Sequence, residues 1–408
     1  MGIYTARFTF LDVCGIVKQG DYMRKYDVAV CGGGFAGISA ALAAAREGKK
    51  VVLFEKTYLL GGLGTAGLIT IYLPLCDGMG HQVSFGIAEE LLKLSISYGA
   101  EDKYPANWLD GAGTKTEKDK RYEVQYNPQV FAILAEQLLL QHNVDILYGT
   151  YVVDVSVEND RISTLYVQNK SGKIAYGVQS VVDATGDCDI AHFAGIPTET
   201  FKQGNVLAAW YYFTDESGYH LQTLGASDTP EEERTGKKKK YLLDRRFSGL
   251  DGEELSELTC YSHAKTLEHW LEKRRSNPSA VISAIATIPQ IRMTRKIVGE
   301  YELAHTELHT HFEDSVGMVS NWKKRGPVYE VPFRTLYNRK ITNLITAGRC
   351  VSVNETLWDV MRVIPCCAVT GQAAGTAAAM TDDFTALSVP ELQKKLQKNG
   401  VVLHEQDL

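Results

Sequence analysis

The stretch YDVAVCGGGFAGISAALAAAREGKKVVLFEK, residues 26–56, limits this chain more than any other. Residues 27–31 form a short, mostly apolar run suited to a buried strand, and residues 38–46 are small helix formers. Between them Gly32, Gly34 and Gly37 complete a G-x-G-x-x-G pattern. The first glycine permits the turn, the second lets backbone approach a pyrophosphate, and the third lets the helix lie close on the strand. The helix N-terminus then presents unpaired N–H groups and a partial positive charge to a diphosphate. Glu55 ends the second strand about 20 residues after the glycines, where a carboxylate accepts hydrogen bonds from ribose hydroxyls and repels a 2′-phosphate. Phe35 and Ala36 inside the turn, and Lys56 after the acid, join the candidate contacts. Strand, turn, helix and terminal acid together predict a dinucleotide site for NAD or FAD rather than NADP.

At 408 residues the chain suits one large or two intermediate domains, with room for a deep site. A net charge of -6 gives no field that gathers nucleic acid, so no such partner is expected. The eight cysteines, at 14, 31, 76, 188, 260, 350, 366 and 367, form no C-x-x-C pair. That spacing predicts no bound metal, and it fits reduced thiols in a cytoplasmic setting. The apolar runs fall short of the roughly 20 residues a bilayer needs, or are too rich in Gly and Ala, so no membrane association is expected. Residues 8–17 look like a signal-peptide core, but Asp12 interrupts them. Met23 is expected to be the natural start, with the segment 1–23 an extension outside the fold.

Four further motifs follow in order. LLGGLGTAGL carries Gly61, Gly62 and Thr65; VVDATGDCDIAHFAG carries Ala184, Gly186 and Asp187; NLITAGRC carries Gly348 and Arg349; MRVIPCCAVTGQAAG carries Arg362, Cys367 and Gly371. With the first glycine loop, this ordered set resembles the glutathione-reductase-type flavoprotein superfamily. It is most similar to FAD-dependent oxidoreductases related to the flavoprotein subunit of heterodisulfide reductase, and more distantly to succinate dehydrogenase and fumarate reductase flavoproteins. The resemblance covers most of residues 26–380 and implies noncovalently bound FAD, with the first glycines on its diphosphate and Glu55 on its adenosine ribose. It also implies that the strand at 148–155 passes the adenine through backbone, which makes Val153 a candidate.

The same resemblance implies an α/β fold: a Rossmann-like, three-layer FAD/NAD(P)-binding domain with an inserted α+β substrate domain. The flavin domain would occupy 24–200 and return at 334–380, around a substrate domain at 201–333, with a tail at 381–408. Helices are expected near 86–99, 127–142, 253–275 and 280–286, and strands at 144–160, 162–170 and from 206. The charge run EEERTGKKKK at 231–240 reads as a solvated loop.

Arg292 and Arg295 share one side only if their segment is helical. The family carries arginines at both positions, either to clamp a polar substrate group or to tie domains by a salt bridge. Arg349 matches a flavin-positioning arginine. Arg362 is the strongest candidate to face substrate or flavin edge, with an inter-domain ion pair as the alternative. Glu355 stands where relatives carry a histidine, and it becomes a proton acceptor if burial raises its pKa. Residues 104–113 and His81 are candidates for the mouth of the site. Pro365 suits a first helical turn, so Cys366 and Cys367 would sit at a helix end close to a planar ring. A vicinal disulfide there needs a strained ring, and relatives carry threonine at 366.

The expected activity is hydride transfer between a small organic substrate and flavin N5, without a built-in NAD(P)H domain. Electrons then come from the substrate itself, a redox partner protein or a diffusing electron carrier, or go to oxygen. An electron-transferring subunit of a larger complex and a noncatalytic FAD-binding module are the alternatives.

Overall fold

The computed structural model describes residues 23–98, 124–225 and 241–408. The expected extension up to residue 22, the stretch 104–113 and the charge run 231–240 lie outside the described residues.

Strand β1 (Arg24–Cys31), helix α1 (Phe35–Arg46) and β2 (Val51–Phe54) build the opening βαβ unit. Small side chains let α1 bury its first ten residues. The short strands β3 (Ile71–Tyr72) and β4 (Val124–Gln125) pair with each other and flank α2 (Ile87–Ile96). Helix α3 (Pro128–Gln141) starts at Asn127, whose side chain accepts from the N–H groups of Gln129 and Val130. Next come β5 (Asp145–Leu147), β6 (Tyr151–Glu158), β7 (Arg161–Asn169), β8 (Gly172–Asp183), α4 (Asp189–Phe193) and β9 (Thr198–Thr200).

A second set of elements follows: β10 (Tyr211–Asp215), β11 (Gly218–Gln222), α5 (Gly252–Ser276), β12 (Val281–Ile285), β13 (Arg295–Ile297), β14 (Ser315–Ser320) and β15 (Val328–Pro332). The chain ends with β16 (Leu344–Thr346), α6 (Glu355–Met361), α7 (Ile364–Met380) and α8 (Val389–Lys398).

The main sheet has the order β5-β2-β1-β8-β7-β6, and β16 also pairs with β8. Pairs β5–β2, β2–β1, β1–β8 and β8–β16 are parallel, whereas β6–β7–β8 is an antiparallel meander. Beside this sheet stand the strand set β11-β10-β12 and the hairpin β14–β15. This is the α/β Rossmann-like architecture expected from the sequence. Helix α7 lies directly on α1. A methyl group on Gly375 would stand 2.7 Å from both Cα and carbonyl carbon of Ala40, and one on Gly371 would stand 2.9 Å from Cβ of Ser39. Only hydrogen at these two positions permits so close a helix contact.

Three local expectations are corrected. The stretch 144–160 is two strands at opposite edges of the main sheet, because Gly149 turns the chain at a φ of 56° between β5 and β6. Residues 281–285 are strand rather than helix: β-branched Val281, Ile282 and Ile285 lie along β10, pairing Tyr211 with Ile285 and Thr214 with Val281. The strand expected from 206 begins only at Tyr211, because Ala209 N–H is taken by Leu224 O at 2.8 Å and Trp210 N–H by Gln290 Oε1 at 2.9 Å. Among the described residues no single helix is long and apolar enough to cross a membrane.

Candidate active site

Beyond the carboxyl ends of β1, β2, β8 and β16 the chain opens into a cleft of about 900 Å³. Open α/β sheets bind ligands at this place. One wall is built from residues 32–36, 55–57, 61–64, 184–187 and 347–349. Gly34 is the N-cap of α1 at φ -71° and ψ -178°, and no side chain caps the helix. A methyl group added to Gly34 would meet no protein atom within 4 Å, so this backbone faces open cleft. Gly37 turns inward instead, where a methyl would lie 3.0 Å from the carbonyl carbon of Gly32. Buried Glu55 accepts from Gly33 N–H through Oε2 at 2.7 Å, and from Thr57 N–H and Oγ1 through Oε1 at 2.7 Å each. The carboxylate is thereby fixed against the glycine loop, and Oε2 can accept one further bond. Gly61 N–H donates to Gly33 O at 2.8 Å and joins the two glycine loops.

The VVDATGDCDIAHFAG and NLITAGRC motifs are locked together by charge. Asp187 accepts from Thr294 Oγ1 at 2.8 Å and pairs with Arg349 Nη2 at 3.3 Å; Lys56 Nζ stands 3.9 Å away. Arg349 also donates to the carbonyl oxygens of Ile291 and Arg292 at 2.8 and 2.9 Å. Arg295 donates to Asp187 O at 2.9 Å and pairs with Asp189 at 2.8 Å. These arginines span the two sides of the cleft and hold them in register. Beneath them, buried Asp183 accepts from the N–H groups of Ile190 and Ala191 at 2.9 and 3.0 Å. Burial pushes its carboxyl up to about 6, against the downward pull of Thr185 and those N–H groups.

Of the sequence-derived candidates, the cleft gathers Gly32, Gly34, Phe35, Ala36, Glu55, Lys56, Gly61, Gly62, Ala184, Gly186, Asp187, Gly348, Arg349, Arg362 and Cys367. It does not gather the rest. Gly37 lies beneath the first glycine loop, and Thr65 Oγ1 is turned inward to donate to Leu60 O. Gly371 packs α7 on α1 and touches no cleft. Val153 has an exposed side chain and is the extra residue of a bulge between Val152 and Asp154, so the lining at that strand is residues 150–152. Arg292 is buried with its guanidinium 5.0 Å from the centre of the Trp210 ring, outside the cleft. Its segment is irregular, and only Arg295 enters a strand, so the two do not share a helix face. Glu355 opens α6 away from the cleft and accepts from Gln203 Nε2 at 2.9 Å. His81 is exposed outside the cleft and lies 3.0 Å from Asp77 Oδ2.

Arg362 stands at the cleft, and its ion pair is local, to a residue three positions before it, rather than inter-domain. Its guanidinium pairs with fully buried Asp359, which also pairs with Lys323. One buried carboxylate thus holds two cations near the start of α7. That helix has Pro in its first turn and no side-chain cap, and Ile364 and Cys367 line the cleft. Neither cysteine there is a thiolate: burial pushes Cys366 well up and Cys367 up to about 12, although Arg349 and Arg362 pull the latter down. Cys366 Sγ donates to Val360 O at 3.1 Å and Cys367 Sγ to Arg362 O at 3.3 Å. Desolvation here outweighs the helix end, which alone would lower a thiol's pKa.

The opposite wall went unread in the sequence. Ser256, Thr259, Cys260 and His263 lie along one stripe of α5, facing residues 287–289 and the glycine loops. Their i, i+3, i+4, i+7 spacing marks one helix face, but only the tertiary structure says that this face closes the cleft.

A βαβ glycine loop, an acid ending the second strand and a deep two-walled cleft define a dinucleotide-dependent enzyme. The family model for FAD dependent oxidoreductases matches residues 27–209 and 251–396, and the chain belongs to that family. A curated relative, the tRNA uridine 5-carboxymethylaminomethyl modification enzyme MnmG 1 of Fusobacterium nucleatum, is 26% identical over 274 residues, covering 62% of this chain. The chain spans 39% of that relative's length. Among solved structures, a geranylgeranyl bacteriochlorophyll reductase-like protein from Thermoplasma acidophilum matches with a TM-score of 0.48 and 14% identity, over 92% of this chain and 83% of that one. The p-nitrophenol 4-monooxygenase PnpA from Pseudomonas putida DLL-E4 matches with a TM-score of 0.45 and 12% identity, over 92% and 82% of the two chains. The protein is an oxidoreductase whose cofactor is FAD, and the residues fit it: an uncapped helix N-terminus and a side-chain-free Gly34 suit the diphosphate, and fixed Glu55 suits a ribose.

Proposed function

We propose that this enzyme exchanges a hydride between a small organic substrate and noncovalently held FAD. One observation carries the reading: a single cleft of about 900 Å³ has a nucleotide-binding wall and, opposite it, a wall from α5 that includes Ser256, Thr259 and His263. That volume stands at the upper end of the about 300–1,000 Å³ typical of ligand clefts, enough for a long cofactor and a few further atoms. When bound, FAD supplies the two-electron acceptor or donor.

The chain's own residues do the rest. Residues 32–36 and the N-terminus of α1 bind the diphosphate, and Glu55 accepts the ribose hydroxyls. Arg362, held by Asp359, and the first turn of α7 favour negative charge at their end of the cleft. Ser256 and Thr259 orient a polar substrate, and His263 is the cleft-facing group on that stripe whose ring nitrogens can give or take a proton. The second half-reaction is assigned to a redox partner protein or a diffusing electron carrier.

Anaerobic holoprotein mixed with hydroxy acids, amino acids and sugars tests this by bleaching of the flavin absorbance. One class is expected to reduce the flavin, and H263A to slow that reduction at least about 100-fold with flavin content unchanged. Flavin that no member of the panel reduces, and that once reduced is reoxidised by oxygen alone, overturns the reading in favour of a noncatalytic module. Colour released on acid precipitation supports noncovalent FAD, whereas a yellow pellet refutes it.

A further inference from the structure

Away from the cleft, three side chains with metal-ligating chemistry converge. His311 lies just before β14, Glu330 is the middle residue of β15, and His404 comes from the C-terminal segment after α8, 74 positions beyond Glu330. Their ligand atoms all lie within 4.8 Å of one another. His404 Nδ1 is 3.0 Å from Glu330 Oε2, and His311 Nδ1 is 3.8 Å from Glu330 Oε1. The two imidazoles face each other with centroids 4.4 Å apart at a tilt of 33°.

We propose that His311, Glu330 and His404 bind one divalent transition-metal ion, Zn²⁺ by the chemistry of the set. Two imidazoles and one carboxylate make a borderline-soft set, with a fourth position left for water. Ligand atoms about 2.0–2.1 Å from Zn²⁺ at tetrahedral corners stand about 3.4 Å apart, a value that the two separations to Glu330, 3.0 and 3.8 Å, bracket. The carboxylate is already fixed: Glu330 is buried and accepts from Phe312 N–H at 2.8 Å and Glu405 N–H at 3.2 Å. Glu405 in turn pairs with His309 at 2.8 Å. Such outer contacts orient ligands in metal sites. His311 Nε2 also lies 3.6 Å from exposed Glu313, while its other ring nitrogen and the His404 ring, from a distant segment, converge on the one carboxylate of Glu330.

None of the three residues lines the cofactor cleft, so the site is separate from the flavin chemistry. Its effect is to clasp the C-terminal segment to the β14–β15 hairpin, where Ser315 Oγ also donates to Leu403 O at 2.6 Å. Cysteine spacing could not reveal it, because no cysteine takes part and the ligands are far apart in the chain.

The test uses full-length holoprotein without a polyhistidine tag, treated with chelator, dialysed and titrated with Co²⁺. One equivalent is expected to give a visible d–d band that Zn²⁺ displaces, and Zn²⁺ is expected to raise Tm. H311A removes a ring whose side chain is 45% exposed and is expected to fold. It should weaken Co²⁺ binding at least about 100-fold and abolish the Zn²⁺-dependent Tm shift, with flavin content unchanged. H404A should do the same. The proposal is overturned by a wild-type protein without a saturable Co²⁺ band, or by H311A and H404A proteins that bind Co²⁺ as tightly as wild type.

Discussion

Valine placed at Gly34 and, separately, at Gly375 should damage the protein in opposite ways. Gly34 has extended backbone at φ -71° that any residue adopts, and an added Cβ meets no protein atom within 4 Å. The apo fold therefore loses at most about 1 kcal/mol, chiefly from a poorer N-cap. The branched side chain instead fills the space through which a diphosphate reaches the first N–H groups of α1. Overpacking by that much costs about 3 kcal/mol, a loss of about 150-fold in FAD affinity. At Gly375 the same Cβ would stand 2.7 Å from two backbone atoms of Ala40, which no side-chain rotation relieves. Helices α1 and α7 must part, at about 3 kcal/mol or more, lowering Tm by about 3–4 °C for a chain of this length. Flavin fluorescence quenching gives the affinity, and thermal unfolding of the stripped protein gives the stability. If G34V binds FAD like wild type, the diphosphate does not lie at this loop. If G34V costs the apo protein as much as G375V does, the steric reasoning fails.

Two further outcomes are expected. The double variant C366S/C367A should retain FAD and its reduction by dithionite and by any productive substrate, since both thiols donate to carbonyls and stay protonated; loss of substrate-driven reduction alone would return the thiols to the mechanism. For Asp183, burial raises the folded-state pKa from 3.8 to about 6. Between those values the native state holds a proton that the unfolded chain has released, so stability falls as pH rises through the window and is level above it. The effect is roughly 2–3 kcal/mol. Urea unfolding of wild type and D183N from pH 4 to 7 should show a difference that changes across this window; a constant difference refutes the account.

The sequence alone determined the local, backbone-driven part of this protein. A turn, an exposed helix N-terminus and a strand-end acid are set by neighbours a few positions apart, so the first glycine loop and Glu55 were legible directly from the residues. The later motifs and FAD itself were legible through resemblance. Tertiary structure decided whatever depends on which surface meets which. Gly371 looks like a cofactor contact by its place in a motif, yet the partner of its helix face is α1. Glu355 and Arg292 sit in the right motifs but turn toward Gln203 and Trp210. Residues 144–160 read as one strand, but one glycine sends its halves to opposite edges of the sheet. The α5 wall, the Arg362–Asp359–Lys323 cluster and the His311–Glu330–His404 convergence join residues far apart in sequence. Period and spacing describe a segment's own geometry; they carry no term for the distance between segments, which only packing of the whole core supplies.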